Sequence, residues 1–404
     1  MYNLLIFHHY NSPLGAGLSL LHILEKIDKR QVKVTVCLPR IEGELDFKIK
    51  KMGIKVIYSD SITAYMHFSG GETPFVSRRH LQNLSAVHSS RKGIANVIEK
   101  ENPDIVAVNS MTLFWIGRIA QSLNKKVICF HRETYCKGLF GMRTFMMKKE
   151  LSNCFDVVAF LSNYDLEQTP LGRAKFVKIT DKVDVKTYEQ LDLCQCRTEL
   201  ELPQDCKLIL YVGGCAKLKG PMTIIKAMSL LRTSNTKLVF LQYQEPNLQK
   251  ISAKIKYNLK RMLGRNLQYM IAHYVEMKNM QDKVIFRPAT DKVEKYFVAC
   301  DVVAFPSHAP HQARPVYEAG IAKKPIIITD FTNTREFVDE SCGWLFKKDD
   351  FKMLAKCIDD ALNVSDSNRV VANYERVLKN NNLITLGREL YDVLGSIVEK
   401  KSEE

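Results

Sequence analysis

Residues 208–231 read LILYVGGCAKLKGPMTIIKAMSLL. The opening run, 208–212, is apolar with β-branched members, the pattern of a strand buried on both faces. Gly213 and Gly214 then allow a close turn, Lys217 and Lys219 follow, and Pro221 suits the first position of a helix over 221–231. A strand feeding a helix through a glycine turn is the repeating unit of a parallel sheet. Two lysines beside a helix start also suit a diphosphate, because unpaired backbone N–H groups and fixed cations both favour an anion. A flexible, solvated loop is the alternative reading of the same residues. The turn is not a Walker loop, since Lys219 is followed by glycine rather than Ser or Thr.

The alternation extends in both directions. Toward the C-terminus, strands are predicted over 237–242, 284–287, 302–306 and 326–329, with helices over 292–299, 316–322 and 351–362. Toward the N-terminus, strands are predicted over 2–8, 32–38, 54–58, 105–109, 127–130, 157–161 and 176–179. Helices over 18–27, 91–99 and 113–123 lie between them. A polar stretch, 184–206, separates the two series and reads as a linker. The expected fold class is α/β, with two doubly wound domains facing across a cleft. In such sheets ligands gather beyond the carboxyl ends of the strands, so the residues there carry the functional argument.

Composition agrees with a globular chain. Of 404 residues, 46 % are hydrophobic and 25 % charged, which excludes a disordered, collagen-like or coiled-coil protein. The length favours two cores over one. Lys and Arg total 59 against 44 Asp and Glu, a net +15 that fits an acidic partner without choosing among nucleic acid, nucleotide and anionic membrane. No recognition module for nucleic acid accompanies the charge, so that partner ranks last. The apolar start is too short for a signal peptide, and no apolar run is long enough to span a bilayer. Eleven cysteines scattered through apolar runs read as reduced thiols, and the expected location is cytoplasmic.

Three strand ends stand out. The first leads through Gly15, Ala16 and Gly17 into a helix, where small residues let an anion approach backbone amides; a plain tight turn is the other reading. It lacks the third glycine of a dinucleotide fingerprint, because Leu20 stands there. The strand over 127–130 delivers His131, Arg132 and Glu133, with His131 either orienting a hydroxyl or simply satisfied behind the site. In the second half, residues 306–320 read PSHAPHQARPVYEAG. There Pro315 suits the first helical position and Glu318 the first turn. Glu318 would accept hydrogen bonds from ribose hydroxyls or serve only the helix dipole. Arg314 would meet phosphate or stand as a surface charge.

On these residues the sequence resembles the GT-B glycosyltransferases of family 4, over nearly the whole chain. Gly213, Lys219 and Gly220 match the family's G-R-x5-K-G loop, and Glu318 with Ala319 matches the second half of its E-x7-E element. Pro306-Ser307, then Asp330, Glu336 and Gly343-Trp344-Leu345, are similar to the surrounding pattern. In the first half, Gly15, Ala16 and Gly17 align with the acceptor-side loop, and His131 with the sugar-site histidine; the stretch 181–184 resembles the N-G-V-D closing the first domain. Three positions depart from the family. Gly214 replaces the diphosphate-gripping arginine, Pro310 replaces the first glutamate, and Gln242-Tyr243-Gln244 replaces Gly-Asp-Gly.

The resemblance implies an acceptor-side domain over 1–190, with a C-terminal helix over 384–400 packing back on it, and a nucleotide-sugar domain over 200–380. It implies a retaining, metal-independent hexosyltransferase of cell-surface polysaccharide biosynthesis, with no cofactor. A UDP- or GDP-type nucleotide sugar is the donor and a glycan or lipid-linked glycan the acceptor. His131, Lys219 and Glu318 would be catalytic. Arg132, Gly213, Gly214, Lys217, His311, Arg314, Pro315, Val316 and the loop Gly15, Ala16, Gly17 would bind substrate. His308 or His311 would stand near the sugar. A non-catalytic homologue acting as a nucleotide-binding or scaffold subunit is the competing reading, because of the departures at Gly214 and Pro310. An inverting GT-B enzyme or an epimerase is another.

Two stretches mix bulky apolar and basic residues. Residues 138–149 hold Leu139, Phe140, Met142, Phe145, Met146 and Met147 beside Arg143, Lys148 and Lys149. Residues 251–263 place Ile251, Ile255, Leu259 and Met262 at helical spacing, among Lys254, Lys256, Lys260 and Arg261. Each suits peripheral attachment to an anionic membrane, or a helix whose apolar side faces the core.

Overall fold

The computed structural model describes all residues except 14, 70, 72, 75, 245–250, 263–265, 311, 313, 364–366 and 399–404. Within helices, the side chains of 253, 256, 260, 261, 367, 396 and 398 also fall outside the description. The chain forms two compact units, Met1–Lys182 with Asn382–Glu404, and Val183–Asn381.

The first unit runs β1 (Tyr2–Phe7), α1 (Ala16–Lys26), β2 (Val32–Leu38), α2 (Leu45–Lys51), β3 (Lys55–Tyr58), α3 (Arg78–Glu101) and β4 (Ile105–Val108). It continues with α4 (Trp115–Ser122), β5 (Lys126–His131), α5 (Met142–Cys154), β6 (Val157–Phe160), α6 (Asn163–Glu167) and β7 (Lys175–Lys178). Its parallel sheet has the order β3-β2-β1-β4-β5-β6-β7. Alternate residues of β1 serve opposite cores: Leu5 and Phe7 pack with α3 and α4, Leu4 and Ile6 with α1. Burial on both faces explains why these strands read as continuous apolar runs. The direction of winding reverses between β1 and β4, and a ligand site forms beyond the carboxyl ends of strands at such a reversal.

The second unit begins with α7 (Val185–Glu189), α8 (Leu193–Glu199), β8 (Lys207–Val212), α9 (Pro221–Met228), β9 (Thr236–Leu241), α10 (Ile251–Met262) and α11 (Leu267–Met277). It proceeds through β10 (Val284–Phe286), α12 (Val293–Ala299), β11 (Val302–Phe305), α13 (Arg314–Ile321), β12 (Ile326–Thr329), β13 (Trp344–Phe346), α14 (Phe351–Asn363) and α15 (Ser367–Asn381). The parallel sheet order is β10-β9-β8-β11-β12-β13, reversing between β8 and β11. Here Leu208 and Leu210 face one core and Ile209 and Tyr211 the other. The last helix, α16 (Leu386–Val398), belongs to the first unit. Its Leu386, Leu390, Val393 and Ile397 enter the core behind β1, and buried Lys182 meets Glu389 at 2.6 Å.

Two expectations change. Residues 184–206 are not a linker but α7 and α8 of the second unit, capped by Asp184 and Asp192. What fastens α8 is a buried arginine, which hydropathy reads as solvent-facing. Arg197 donates to the carbonyls of Ala299, Gln204 and Cys206 and pairs with Asp301 at 2.8 Å. The helix expected over 91–99 is the last part of α3, which starts at Arg78 under the cap of Ser77. Leu81 and Leu84 of its first half are exposed, so the apolar period emerges only from Val87 onward. Among the described residues, no helix is long and apolar enough to cross a membrane.

Candidate functional site

The turn after β8 lies at the strand reversal of the second unit, and its glycines are set by space. A Cβ on Gly213 would come within 2.5 Å of the Tyr211 hydroxyl and 2.7 Å of Lys219 Cβ. Gly220 has φ +70°, and a Cβ there would lie 1.8 Å from the Pro306 carbonyl oxygen. Gly214 is also left-handed, with φ +56°, its would-be Cβ 2.6 Å from the Gln242 carbonyl oxygen. Only glycine meets such demands without strain. Beneath the turn, the buried Tyr211 hydroxyl lies 3.0 Å from the carbonyl of Gly214 and 3.3 Å from that of Lys219. Residues 217–219 make one 3-10 turn, Gly220 closes it, and Pro221 begins α9, whose N-terminus has no side-chain cap.

The segment after β11 grips the same turn. The backbone N–H of His308 donates to the Leu218 carbonyl at 2.7 Å. The Ser307 hydroxyl stands 3.2 Å from that carbonyl and 2.7 Å from the carbonyl of Ala309. His308 Nε2 lies 2.7 Å from Thr223 Oγ1, in the first turn of α9, and 3.1 Å from the Asp349 carboxylate. Burial lowers the pKa of His308; Asp349 opposes that, and the nearby Lys348 and Lys217 reinforce it. The Lys219 amine sits 5.1 Å from the centre of the Phe305 ring, and burial brings its pKa down to about 7. Lysine at such a value accepts a proton readily once an anion arrives.

Arg314 opens α13, so Pro315 is its second residue rather than its first, and Glu318 starts the second turn rather than falling within the first. Val316 is packed in the core, and Glu318 is buried among its neighbours on α13. Glu318 and Arg314 act on the same group from opposite signs. Burial, Glu318 and Glu294 push the phenol of Tyr188 on α7 well up, while Arg314 opposes them. Sequence reasoning missed Tyr188, which lies on α7 far from α13 in the chain, and gave no role to Tyr211 and Thr223, which sit beside the glycine turn but belong to no motif. His311 lies outside the described residues.

In the first unit, the reversal between β1 and β4 gathers a polar network. Asn109, just past β4, donates from Nδ2 to the Ala16 carbonyl at 2.9 Å and accepts from Arg132 Nε at 3.0 Å. Arg132 also pairs with Asp181 at 3.3 Å, and Asp181 accepts from the Ser19 hydroxyl at 2.6 Å. Gly15 precedes α1 with φ +54°, and no side chain caps that helix. A Cβ on Gly17 would strike the Ser12 carbonyl oxygen at 1.9 Å. So the structure brings residues 15–17 and Arg132 together.

His131 points elsewhere. It is the last residue of β5, wholly buried, its ring 4.8 Å from those of Tyr135 and Phe160. Neither ring nitrogen has a hydrogen-bond partner among the described residues, and burial, helped by Arg132 and Lys148, lowers its pKa to about 3. Glu133 turns to the Ser110 hydroxyl at 2.6 Å and the Met111 N–H at 2.9 Å, and burial raises its pKa. Among the described residues no cluster of His, Cys, Asp and Glu could hold a metal ion.

Comparison with known proteins fits this geometry. Residues 195–377 match the family described as glycosyl transferases group 1, a span covering most of the second unit. No curated protein matches the chain. Among solved structures, HepE of Anabaena in complex with UDP and glucose is 16 % identical, with 98 % of this chain and 100 % of that one covered and a TM-score of 0.73. A glycosyltransferase from Rickettsia africae is 17 % identical, covering 98 % of each chain, with a TM-score of 0.72. Sucrose-phosphate synthase from Thermosynechococcus elongatus is 16 % identical, covering 99 % and 100 %, with a TM-score of 0.68. The fold is GT-B, two Rossmann-like parallel-sheet domains, and the stretch similar to the glycosyl transferases group 1 family lies in the second of them.

Proposed function

We propose that this protein is a retaining glycosyltransferase that moves a hexose from a UDP-type nucleotide sugar to a glycan or lipid-linked glycan. Cell-surface polysaccharide synthesis is the process such an activity would serve. The observation that carries the reading is the glycine turn at the β8–β11 reversal, which presents half-buried Lys219 beside the uncapped start of α9. The family match of the second domain and the UDP and glucose named for the HepE complex favour this donor class.

In this reading the leaving diphosphate settles against Lys219, Lys217 and the first amides of α9, with Arg314 beyond it. Fixed charge of this kind stabilises the developing anion without reorganising during the step. Glu318 accepts from the ribose hydroxyls. In the acceptor-side unit, the backbone amides at Gly15, Ala16 and Gly17 and the Arg132–Asn109 network position the acceptor. His131 would meet a sugar hydroxyl only with its ring turned out from Tyr135 and Phe160, where it is now buried. The acceptor oxygen bonds to the anomeric carbon as that carbon's bond to the diphosphate oxygen breaks. The acceptor's proton passes to a diphosphate oxygen on the same face, which gives retention. The chain needs no resident cofactor for this step.

A thermal-shift series with UDP, GDP, ADP and CMP compounds, followed by transfer from the stabilising nucleotide's sugars, tests the reading. Stabilisation by UDP and release of UDP in the presence of acceptor are expected. Binding without hydrolysis or transfer would favour the scaffold alternative, to which glycine at 214 and proline at 310 lend weight.

A further inference from the structure

The first unit carries an edge that is apolar and basic, its one helical acid on α5, Glu150, being half-buried and paired with Arg118. It begins at the 3-10 turn Leu139–Gly141, between Gly138 and Gly141 at φ +60° and +71°. Phe140 at its tip has φ +52° and is 84 % exposed. A phenylalanine held in the left-handed region while its ring faces water carries two costs at once, and such costs persist where a partner uses them. On the adjoining α5, Met142 and Phe145 are 65 % and 64 % exposed, with Met146 beside them.

Helix α3 extends this edge. Buried Arg143 of α5 reaches His80 Nδ1 at 3.2 Å and the Thr73 carbonyl at 2.7 Å, fixing the start of α3 against α5. Leu81 follows His80 directly and Leu84 lies one turn on; both are exposed. Arg78, Arg79, Lys137 and Lys149 are exposed around these side chains. Neither 76–98 nor 134–149 contains a single Asp or Glu. Bulky apolar side chains flanked by exposed cations match an anionic bilayer, whose interior takes the apolar groups and whose headgroups neutralise the charge. A protein partner of ordinary mixed charge would leave these cations unanswered.

We propose that this edge, the 139–141 turn with the first two turns of α5 and the start of α3, docks the protein onto an anionic membrane surface, with Phe140 and Phe145 entering the headgroup boundary. The proposal stands apart from the nucleotide-sugar reading, which rests on the other unit. A second exposed apolar face exists on α10, where Ile251, Ile255, Leu259 and Met262 face solvent, so the test must separate the two.

Co-sedimentation of the full chain with phosphatidylcholine vesicles, with and without phosphatidylglycerol, supplies it. Binding is expected only with the anionic lipid and is expected to weaken as salt rises. Phe140→Ser with Phe145→Ser should weaken binding by about tenfold or more. Arg78→Glu with Lys137→Glu should do the same by reversing charge alone. Both pairs lie in solvent, so melting temperature and the shift produced by UDP should match the parent. The proposal is overturned by binding indifferent to anionic lipid, or by vesicle binding retained in both variants. It is equally overturned if Ile255→Ser with Leu259→Ser abolishes binding that the Phe variant keeps, or if the Phe variant changes only the oligomeric mass.

Discussion

His308 Nε2 lies 2.7 Å from the hydroxyl of Thr223, a contact that ties the segment after β11 to the first turn of α9. With the His308 N–H on the Leu218 carbonyl, it holds the glycine turn from both ends. This gives His308 a positioning role. Each such bond contributes about 0.5–1.5 kcal/mol. His308→Ala should therefore weaken nucleotide binding by roughly three- to tenfold. His308→Gln should recover part of it, and Thr223→Val should resemble the alanine variant. Titration calorimetry with UDP measures this; unchanged affinity in all three would remove the positioning role.

Lys219 links donor binding to proton uptake. Its folded pKa is about 7, against an ordinary value near 10.4, so burial penalises the charged form. An arriving diphosphate reverses that preference. At pH 8, binding of UDP-glucose should take up close to one proton, read from calorimetry in buffers of different ionisation enthalpy. The sign for stability is the opposite of an ion pair's. The unfolded chain holds more protons between pH 7 and about 10.4, so this group adds stability as pH rises through that window. Below pH 7 the penalty is full. Lys219→Met should raise the melting temperature of the unliganded protein near neutrality, abolish the proton uptake, and cut transfer by about 10²–10³-fold.

Gly220 is fixed by its contact with Pro306. A methyl group at this left-handed position would overlap the Pro306 carbonyl oxygen and crowd His308 Nε2 at 3.0 Å. Gly220→Ala should cost about 1–3 kcal/mol in stability and weaken UDP binding more than His308→Ala does. Chemical denaturation and calorimetry on the same variant would show both effects; a normal melting curve with normal binding would mean the turn relaxes freely.

His131 trades stability for a role that solvent does not share. Two buried ring nitrogens without partners among the described residues each cost about 1–3 kcal/mol. His131→Leu should raise the melting temperature while cutting transfer; unchanged transfer would assign the residue to packing alone. Acid should act through the same group. His131 and His8 have folded pKa values of about 3, and His9 about 4, against an ordinary 6.5. The unfolded chain therefore binds more protons between pH 6.5 and these values, and stability falls as pH falls through that window. The leucine variant should show a shallower loss over the same range.

Much of the fold is legible along the chain because burial on both faces writes itself into consecutive residues. Strands such as Val32–Leu38 and Ile326–Thr329 coincide with their apolar runs. The glycine turn is legible as well, since Gly213, Gly214 and Gly220 answer local backbone demands. Helix α8 is not, because Arg197 buries its charge on carbonyls distant in sequence, and hydropathy carries no trace of that. The first half of α3 is hidden for the complementary reason: its leucines face solvent.

What the sequence by itself determined is the alternation of strand and helix, the βα turn with its two lysines, and the acid-free basic stretches. Each depends on neighbours within one or two turns of chain. Strand order, and with it the reversal that places the turn after β8 beside the segment after β11, was decided by tertiary structure. So were the inward turn of the His131 ring and the grip of His308 on Thr223. These depend on side chains that meet across the sheet from 85 residues apart, where packing rather than local pattern selects the partner.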